Sequence, residues 1–403
     1  MDQPFLEAKP IIETLNNNGF EAYFVGGSVR DYLMGREIGD IDIATSATPN
    51  DIKKIFEKTI DVGAKHGTII VRYHHQSYEV TTFRQDCDYK DFRRPTKVQF
   101  VTSLKEDLKR RDFTMNAIAM DQFGNIFDFF HGRADIKRKI IRTVGEAEKR
   151  FSEDALRMLR AVRFVSQLSF QLHPETKKAI QNLHPLLENI SVERKTVEFE
   201  KLLKGPSVKR GIELLMETNI YQHLPGFCDQ KVNLRKLLNY SYSHLQTSEE
   251  YWTMITFVLR IESVESFLRA WKLPGKIVKH VRMAINRLPK LLGNGWTSLD
   301  LYQIGLNEAV KMERVRQALQ REFHEQSIHH LEQMYRELPM KQRNELCING
   351  KDLVEWFQKK PGPWISSSLA KIEERIIKGE LPNEKEAIKE WLLSCNRKFD
   401  ENC

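Results

Sequence analysis

Two aspartates separated by one isoleucine, Asp40 and Asp42, are the residues of this chain best suited to chemistry. The run Gly-Asp-Ile-Asp-Ile-Ala-Thr at 39–45 alternates polar and apolar residues, the period of a half-buried strand. Successive strand side chains point to opposite faces, so both carboxylates are expected on one face, with Cα atoms about 7 Å apart. Carboxylates held side by side repel unless a cation lies between them. Mg²⁺ suits such a place, because it favours one or two carboxylates completed by substrate phosphates.

A phosphate cradle precedes the aspartates. Phe20 to Val25 reads as a short strand and Val29 to Met34 as a short helix, with Gly26 and Gly27 at the junction. Missing Cβ atoms there let a ligand approach the backbone. The helix start offers free N–H groups and a positive dipole end to an anion, and Arg30 adds a fork of donors. The stretch therefore predicts phosphates on Gly27 and Arg30, and metal on Asp40 and Asp42. A tight turn and a strand with two solvated aspartates is the plainer alternative. An isolated Asp-x-Asp would not outweigh it; the glycine–arginine run just upstream does.

The elements that position these groups need a large scaffold, and the chain has 403 residues, enough for two to four domains. Its net charge of +8 suits a polyanionic partner. Cys87, Cys228, Cys347, Cys395 and Cys403 are scattered without a Cys-x-x-Cys pair, which argues against a zinc site or a disulfide framework. No apolar run near 18 residues and no leader pattern is present, so a soluble cytoplasmic protein with no membrane partner is expected.

Gly-Gly-Ser-Val-Arg-Asp at 26–31, followed by Gly-Asp-Ile-Asp-Ile-Ala-Thr, resembles the head domain of class II tRNA nucleotidyltransferases. These are the CCA-adding enzymes, relatives of bacterial poly(A) polymerases in the polymerase β-like superfamily. Arg110-Arg111-Asp112-Phe113-Thr114-Met115-Asn116-Ala117 resembles the family's second motif. Arg111 can grip a triphosphate, while Asp112 and Asn116 can hydrogen-bond ribose hydroxyls. Strands are also expected at Thr68 to Tyr73 and Ser77 to Phe83, joined as a hairpin. Glu79, on the second of these, reads either as a third catalytic carboxylate beside Asp40 and Asp42 or as a surface glutamate on an edge strand, and the resemblance favours the former. Asp86 to Pro95 has many charges and no period, and reads as a loop on the rim of the site. In the resembling enzymes a loop at this place acts as a lever for A addition.

Ser152 to Arg163 is the second anchor. It reads as one helix capped by Ser152, with Ala155, Met158, Leu159, Val162 and Val165 on one face. Asp154, Arg157, Arg160 and Arg163 wind over the opposite half. Cytosine and adenine both present an exocyclic amine beside a ring-nitrogen acceptor, whereas uracil and guanine present a carbonyl beside an N–H. A carboxylate at Asp154 and a guanidinium at Arg157 therefore accept C and A, and reject U and G by leaving buried polar groups unpaired. Arg160 and Arg163 would face phosphates or the stacked base. Glu-Asp-x-x-Arg here resembles the family's protein-based template.

From Ser152 onward no strands are expected. His223 and His280 read as capping or surface groups, and the six tryptophans as core. Ile348 to Leu353 and Gly362-Pro363-Trp364 loosely resemble the family's tail. The expected architecture is an α+β nucleotidyltransferase head with a small mixed sheet (1–148), then an all-α neck that reads the base (149–205), body (206–305) and tRNA-binding tail (306–403). The resemblance implies addition of C, C and A to the tRNA 3′ end from ATP and CTP with Mg²⁺. A poly(A) polymerase, a CC-only or A-only enzyme and a non-enzymatic tRNA-binding protein are the alternatives, and a homodimer is left open.

Overall fold

The computed structural model describes residues 1–90 and 94–400, and the side chains of all of these except 86–97 and 395–400. The chain forms two compact units. One comprises 1–238 with 267–272, the other 239–266 with 273–403.

The first unit opens with α1 (Gln3–Asn17), β1 (Ala22–Val25), α2 (Gly27–Leu33), β2 (Asp42–Thr45) and α3 (Pro49–Ile55). β3 (Thr59–Gly63), β4 (Thr68–Tyr73), β5 (Gln76–Thr82), β6 (Arg84–Lys90), β7 (Arg94–Phe100), α4 (Leu104–Lys109), β8 (Ala119–Met120) and β9 (Ile126–Phe127) follow. Seven strands form one mixed sheet in the order β3-β4-β5-β2-β1-β8-β9, with β2 and β5 parallel and the other neighbours antiparallel. Strand alternation divides its residues between two cores. Phe24, Ile43, Ile69, Val71 and Val80 join Phe5, Ile11, Ile12 and Leu15 of α1 on one face. Val25, Ala44 and Ala119 join Phe83, Leu104 and Leu108 on the other. Asp42 lies between Ile43 and the turn before it, so it shares the second face with Ala44.

Local chemistry places several elements. Thr48 and Asp51 form a capping box that starts α3. His74 and His75 both take positive φ, 44° and 65°, the geometry a two-residue hairpin turn needs between β4 and β5. The expected loop at 86–95 is largely an antiparallel ribbon, since β6 pairs with β7 from Arg84↔Phe100 to Lys90↔Arg94. A two-strand ribbon outside the main sheet is held by its backbone ladder and leaves no apolar period to read. Residues 91–93 of that loop lie outside the described residues.

The rest of the unit is α5 (Gly132–Arg138), β10 (Ile140–Ile141), α6 (Ala147–Glu153), α7 (Leu156–Leu168), β11 (Gln171–Leu172), α8 (Pro174–Leu183), α9 (Val192–Leu203), α10 (Val208–Glu217) and α11 (Lys231–Leu237). β10 and β11 pair in parallel, so a strand does return after residue 152, too short for periodicity to reveal. Trp271 stacks on Phe199 of α9 with centroids 4.8 Å apart.

The second unit is helical: α12 (Ser248–Val258), α13 (Val264–Ala270, whose residues from 267 belong to the first unit), α14 (Gly275–Asn294), α15 (Ser298–Ile304), α16 (Leu306–Gln320), α17 (Glu325–Glu337), α18 (Gly350–Phe357), α19 (Pro363–Ile377) and α20 (Lys385–Asp400). Leu301, Leu331, Leu353, Ile372, Ile376 and Ile388 centre its larger core, against which Trp296, Trp356, Trp364 and Trp391 pack. Trp252 and Trp271 are fully buried. His280, expected to be a capping or surface group, is buried and bound to Glu308, because α14 turns that face inward. Asn349 caps α18 through a capping box with Asp352.

Candidate active site

β1 ends at Val25, opposite Asp42. Gly26 then takes φ 79°, ψ −135° and turns the chain into α2. A Cβ on Gly26 would lie 3.3 Å from Arg111 Nη1 and 3.4 Å from Asp42 Oδ2, so these groups meet over bare backbone. Because β1 leaves the sheet here, β2 begins only at Asp42. Asp40, expected inside the strand, is exposed two residues before it. Both aspartates line the same cavity. Glu79 pairs in register with Asp42 on the adjacent parallel strand. Burial first, then the Glu79 carboxylate, push Asp42 up to about 6; Arg111 opposes this and Asp40 adds to it.

Arg111 is aimed by a residue the sequence reading missed. Asp107, wholly buried at the end of α4, accepts from Arg110 Nε at 2.9 Å and from Arg111 Nη2 at 3.2 Å. Burial alone would raise the Asp107 carboxyl, but the two guanidiniums hold it below the usual carboxylate range. Its signal was the i, i+4 spacing to Arg111 on a helical turn. Arg111 Nε is buried and has no hydrogen-bond partner among the described residues.

Asp112 and Asn116, expected to meet a ribose, are also bonded within the protein. Asp112 Oδ2 accepts from Arg160 Nε and Nη2 at 2.9 and 2.6 Å. Its Oδ1 accepts from the Phe113 N–H at 2.8 Å and Asn116 Nδ2 at 3.1 Å. Asn116 Oδ1 in turn accepts from Arg30 Nη1 at 2.7 Å, while Arg30 Nε and Nη2 fork onto Asp31 at 3.0 and 2.8 Å. Burial would raise Asp112, yet Arg160 and the hydrogen bonds bring it down to about 2. Arg30 and Arg160 are thus joined across the site by two polar side chains.

The expected single helix from Ser152 is broken. α6 ends at Glu153, Asp154 is extended at φ −142°, ψ 103°, and α7 starts at Leu156. Asp154 causes the break, because its Oδ1 accepts from the Leu156 N–H at 3.1 Å. Nor do Asp154 and Arg157 pair. Asp154 Oδ2 accepts from Arg194 Nη2 of α9 at 2.7 Å. Arg157 Nη1 donates to Glu153 at 2.8 Å and its Nη2 to the Arg110 carbonyl at 3.1 Å. Arg163 lies 3.9 Å from the Phe164 ring centroid and 2.7 Å from Glu198, and burial brings it down to about 10. Arg194, Glu198 and Lys201 were also missed; at i, i+4 and i+7 they share one face of α9.

The predicted residues Gly27, Arg30, Asp40, Asp42, Arg111, Asp112, Asn116, Asp154, Arg157, Arg160 and Arg163 all line one cavity of about 650 Å³. Glu79 alone is absent from its wall, one strand beyond Asp42. Eight arginine or lysine side chains face five aspartates there, a lining for a polyanion. Among the described residues no three or more His, Cys, Asp or Glu side chains gather around one ion position. The donor set nonetheless fits a hard divalent cation: two hard carboxylates, one of them half-buried and held up to about 6 by burial and neighbouring acids, beside room for phosphate oxygens.

Residues 22–142 match the family described as "Poly A polymerase head domain", 169–231 "Probable RNA and SrmB- binding site of polymerase A", and 243–392 "tRNA nucleotidyltransferase domain 2". The chain is 50% identical over 408 residues to the CCA-adding enzyme of Geobacillus stearothermophilus, covering 100% of both. It is 46% identical to that of Bacillus licheniformis, covering 98% of this chain and 100% of the relative. The crystal structure of the Bacillus stearothermophilus CCA-adding enzyme in complex with CTP superposes with a TM-score of 0.96 at 49% identity, covering 100% of each chain.

Proposed function

The chain belongs to the CCA-adding enzymes, and we propose that its cavity is the site at which C, C and A are added in turn to the 3′ end of tRNA. The reaction is a nucleotidyl transfer from CTP and ATP without a nucleic-acid template. The observation that carries this reading is the convergence of the Asp40–Asp42 pair, the Gly27–Arg30 turn, Arg111 and the Asp154–Arg157 pair on one cavity.

Gly27 and Ser28 open α2, and their N–H groups are offered to the triphosphate, with Arg30 behind them. Arg111, braced by Asp107, reaches the same phosphates from the side of Asp42. Asp112 and Asn116 set the position of Arg160 and Arg30 and bound the ribose pocket. Asp154 accepts from the N4 or N6 amine of the base, and Arg157 donates to the adjacent ring nitrogen. The family is divalent-metal dependent, and Mg²⁺ is the ion we assign to Asp40 and Asp42. When bound there, it supplies positive charge to the triphosphate and to the attacking 3′-oxygen. Glu79 is the third catalytic carboxylate, acting on the attacking 3′-hydroxyl from the strand beside Asp42. Of the chain, 1–148 is assigned as catalytic head, 149–205 as base-reading neck, 206–305 as body and 306–403 as tRNA-binding tail.

tRNA transcripts ending at the discriminator base, in C or in CC, are incubated with Mg²⁺ and each ribonucleotide alone. Full CCA addition gives C, then C, then A, each on its own substrate, and stops. A run of A on any RNA would indicate a poly(A) polymerase, arrest after CC or addition only to CC a partial enzyme, and no product a binding protein.

A further inference from the structure

Asp154 stands just before α7 and Arg157 in its first turn, an acid and a base three residues apart that could close on each other. If they did, the carboxylate would spend its acceptor on the guanidinium, and neither edge would be left for a nucleobase. In the structure each has a separate counter-ion. Arg157 is held by Glu153 at 2.8 Å and by the Arg150 and Arg110 carbonyls at 3.0 and 3.1 Å. Asp154 is held from the other side, by Arg194 Nη2 at 2.7 Å.

Asp154 is pinned twice. The Leu156 N–H fixes Oδ1 and Arg194 fixes Oδ2, so the carboxylate plane is set by two elements, α7 and α9. Each oxygen keeps a further acceptor position. Without Arg194 only the cap to Leu156 remains, and the carboxylate is free to turn about its last torsion. Three guanidiniums of the cavity wall lie on α7, the helix that follows it, those of Arg157, Arg160 and Arg163. Arg160 already feels the Asp154 charge. Arg163 is engaged with Glu198, Arg160 with Asp112 and Arg157 with Glu153, and of the three Arg157 is the nearest in sequence to a released Asp154.

We infer that Arg194 is a positioning residue for base selection: it draws Asp154 away from Arg157 and keeps the base-reading pair open. This rests on the reading of Asp154 and Arg157 as that pair. Arg194 has no direct part in the reacting atoms, so its loss acts on the choice and binding of the nucleotide more than on the chemical step. A guanidinium on α9 is required only as a cation that reaches Oδ2, so lysine, shorter but charged, restores part of the effect, and glutamine, uncharged, restores less.

The test compares full-length wild type, Arg194→Met, Arg194→Gln and Arg194→Lys on tRNA ending in C, and on tRNA ending in CC. kcat and KM are measured for CTP, UTP, ATP and GTP, and thermal melting and tRNA affinity are followed in parallel. Arg194→Met is expected to raise KM for CTP and ATP and to lower the C-over-U and A-over-G preferences by about 10-fold each, with kcat changed far less. Arg194→Lys recovers most of the preference and Arg194→Gln an intermediate share. If the variants slow all four nucleotides in one proportion, with preferences intact, Arg194 is a structural bridge between helices and the inference is wrong. If Arg194→Met does not fold, the Gln and Lys variants decide by the same ratios. Wild-type protein that shows no preference for C and A would instead overturn the base-reading assignment itself.

Discussion

Glu79 of β5 stands in register with Asp42 of β2, and after burial it is the strongest influence lifting the Asp42 carboxyl to about 6. The two acids are neighbours across a parallel pair, about 4.8 Å between strands. A half-buried carboxylate in that company favours its proton, and a cation can take the proton's place. For a group whose pKa is raised in the fold, ionisation works against folding, so the metal-free protein loses stability as pH rises from about 4 through 6. A divalent cation that binds the ionised form offsets this. The stabilisation by Mg²⁺, read as the rise in melting temperature, should therefore be small at pH 5 and larger at pH 8. An equal rise at both pH values, or an undiminished one in Asp42→Asn, would reject Asp42 as ligand.

The same acids divide by task. Asp40→Ala and Asp42→Ala should each abolish C and A addition while tRNA binding survives. Glu79→Gln should slow both additions with little change in nucleotide KM, since Glu79 lies outside the cavity that holds the nucleotide. Wild-type rates in Glu79→Gln would remove it from the catalytic set.

Base selection lies with Asp154 and Arg157. Asp154→Ala should cost about 1–3 kcal/mol of discrimination for C and A over U and G, and Arg157→Ala a similar amount, because each leaves its partner edge unmet. Competition assays with paired nucleotides measure it directly. Variants that are merely slower, with discrimination whole, would place base reading elsewhere.

Asp112 and Arg160 fasten the head motif to α7, and this bond should appear in acid. The Asp112 carboxyl falls from the ordinary 3.8 to about 2 in the fold. A depressed carboxyl stabilises the native state above its unfolded pKa, and that contribution drains away as pH falls from about 4 to 2. It amounts to about 2 kcal/mol. Urea melts of wild type should lose stability across that window. Asp112→Asn should be less stable at pH 7 and lose less than wild type below pH 4. Parallel curves for the two proteins would show that the Arg160 bond contributes little.

What the sequence discloses follows from how far each interaction reaches along the chain. The capping box of Thr48 and Asp51 and the hairpin at His74–His75 are local, and local residue types announce them. The Asp154–Arg194 bond joins residues 40 apart and has no local signature. The break at Asp154 is masked because the apolar face from Ala155 to Val165 runs on unchanged, while one side-chain cap interrupts the backbone ladder. Ribose contacts were expected of Asp112 and Asn116 from their types, but type alone does not disclose that Arg160 and Arg30 also bond to them. Family membership, by contrast, was legible because glycines, arginines and aspartates at the ligand are spaced by the ligand.

The two glycines at the turn should respond differently to one methyl group. Gly27 lacks positive φ, and a Cβ there would meet Arg30 Nη2 at 3.6 Å, an ordinary contact. Gly26 sits at φ 79°, and its Cβ would press on Arg111 Nη1 at 3.3 Å and Asp42 Oδ2 at 3.4 Å. Arg111 has little freedom to yield, since Asp107 holds its other Nη. The backbone term alone costs about 1–3 kcal/mol. Gly26→Ala should therefore lower the melting temperature, raise KM for CTP and ATP together and cut kcat. Gly27→Ala should lose little stability, with a modest rise in KM if its N–H still reaches phosphate. The ordering decides the matter: if Gly27→Ala proves the more damaging to both stability and kcat, the phosphates crowd Gly27 more closely than Arg111 and Asp42 crowd Gly26, and the turn is built around the ligand and not around those two side chains.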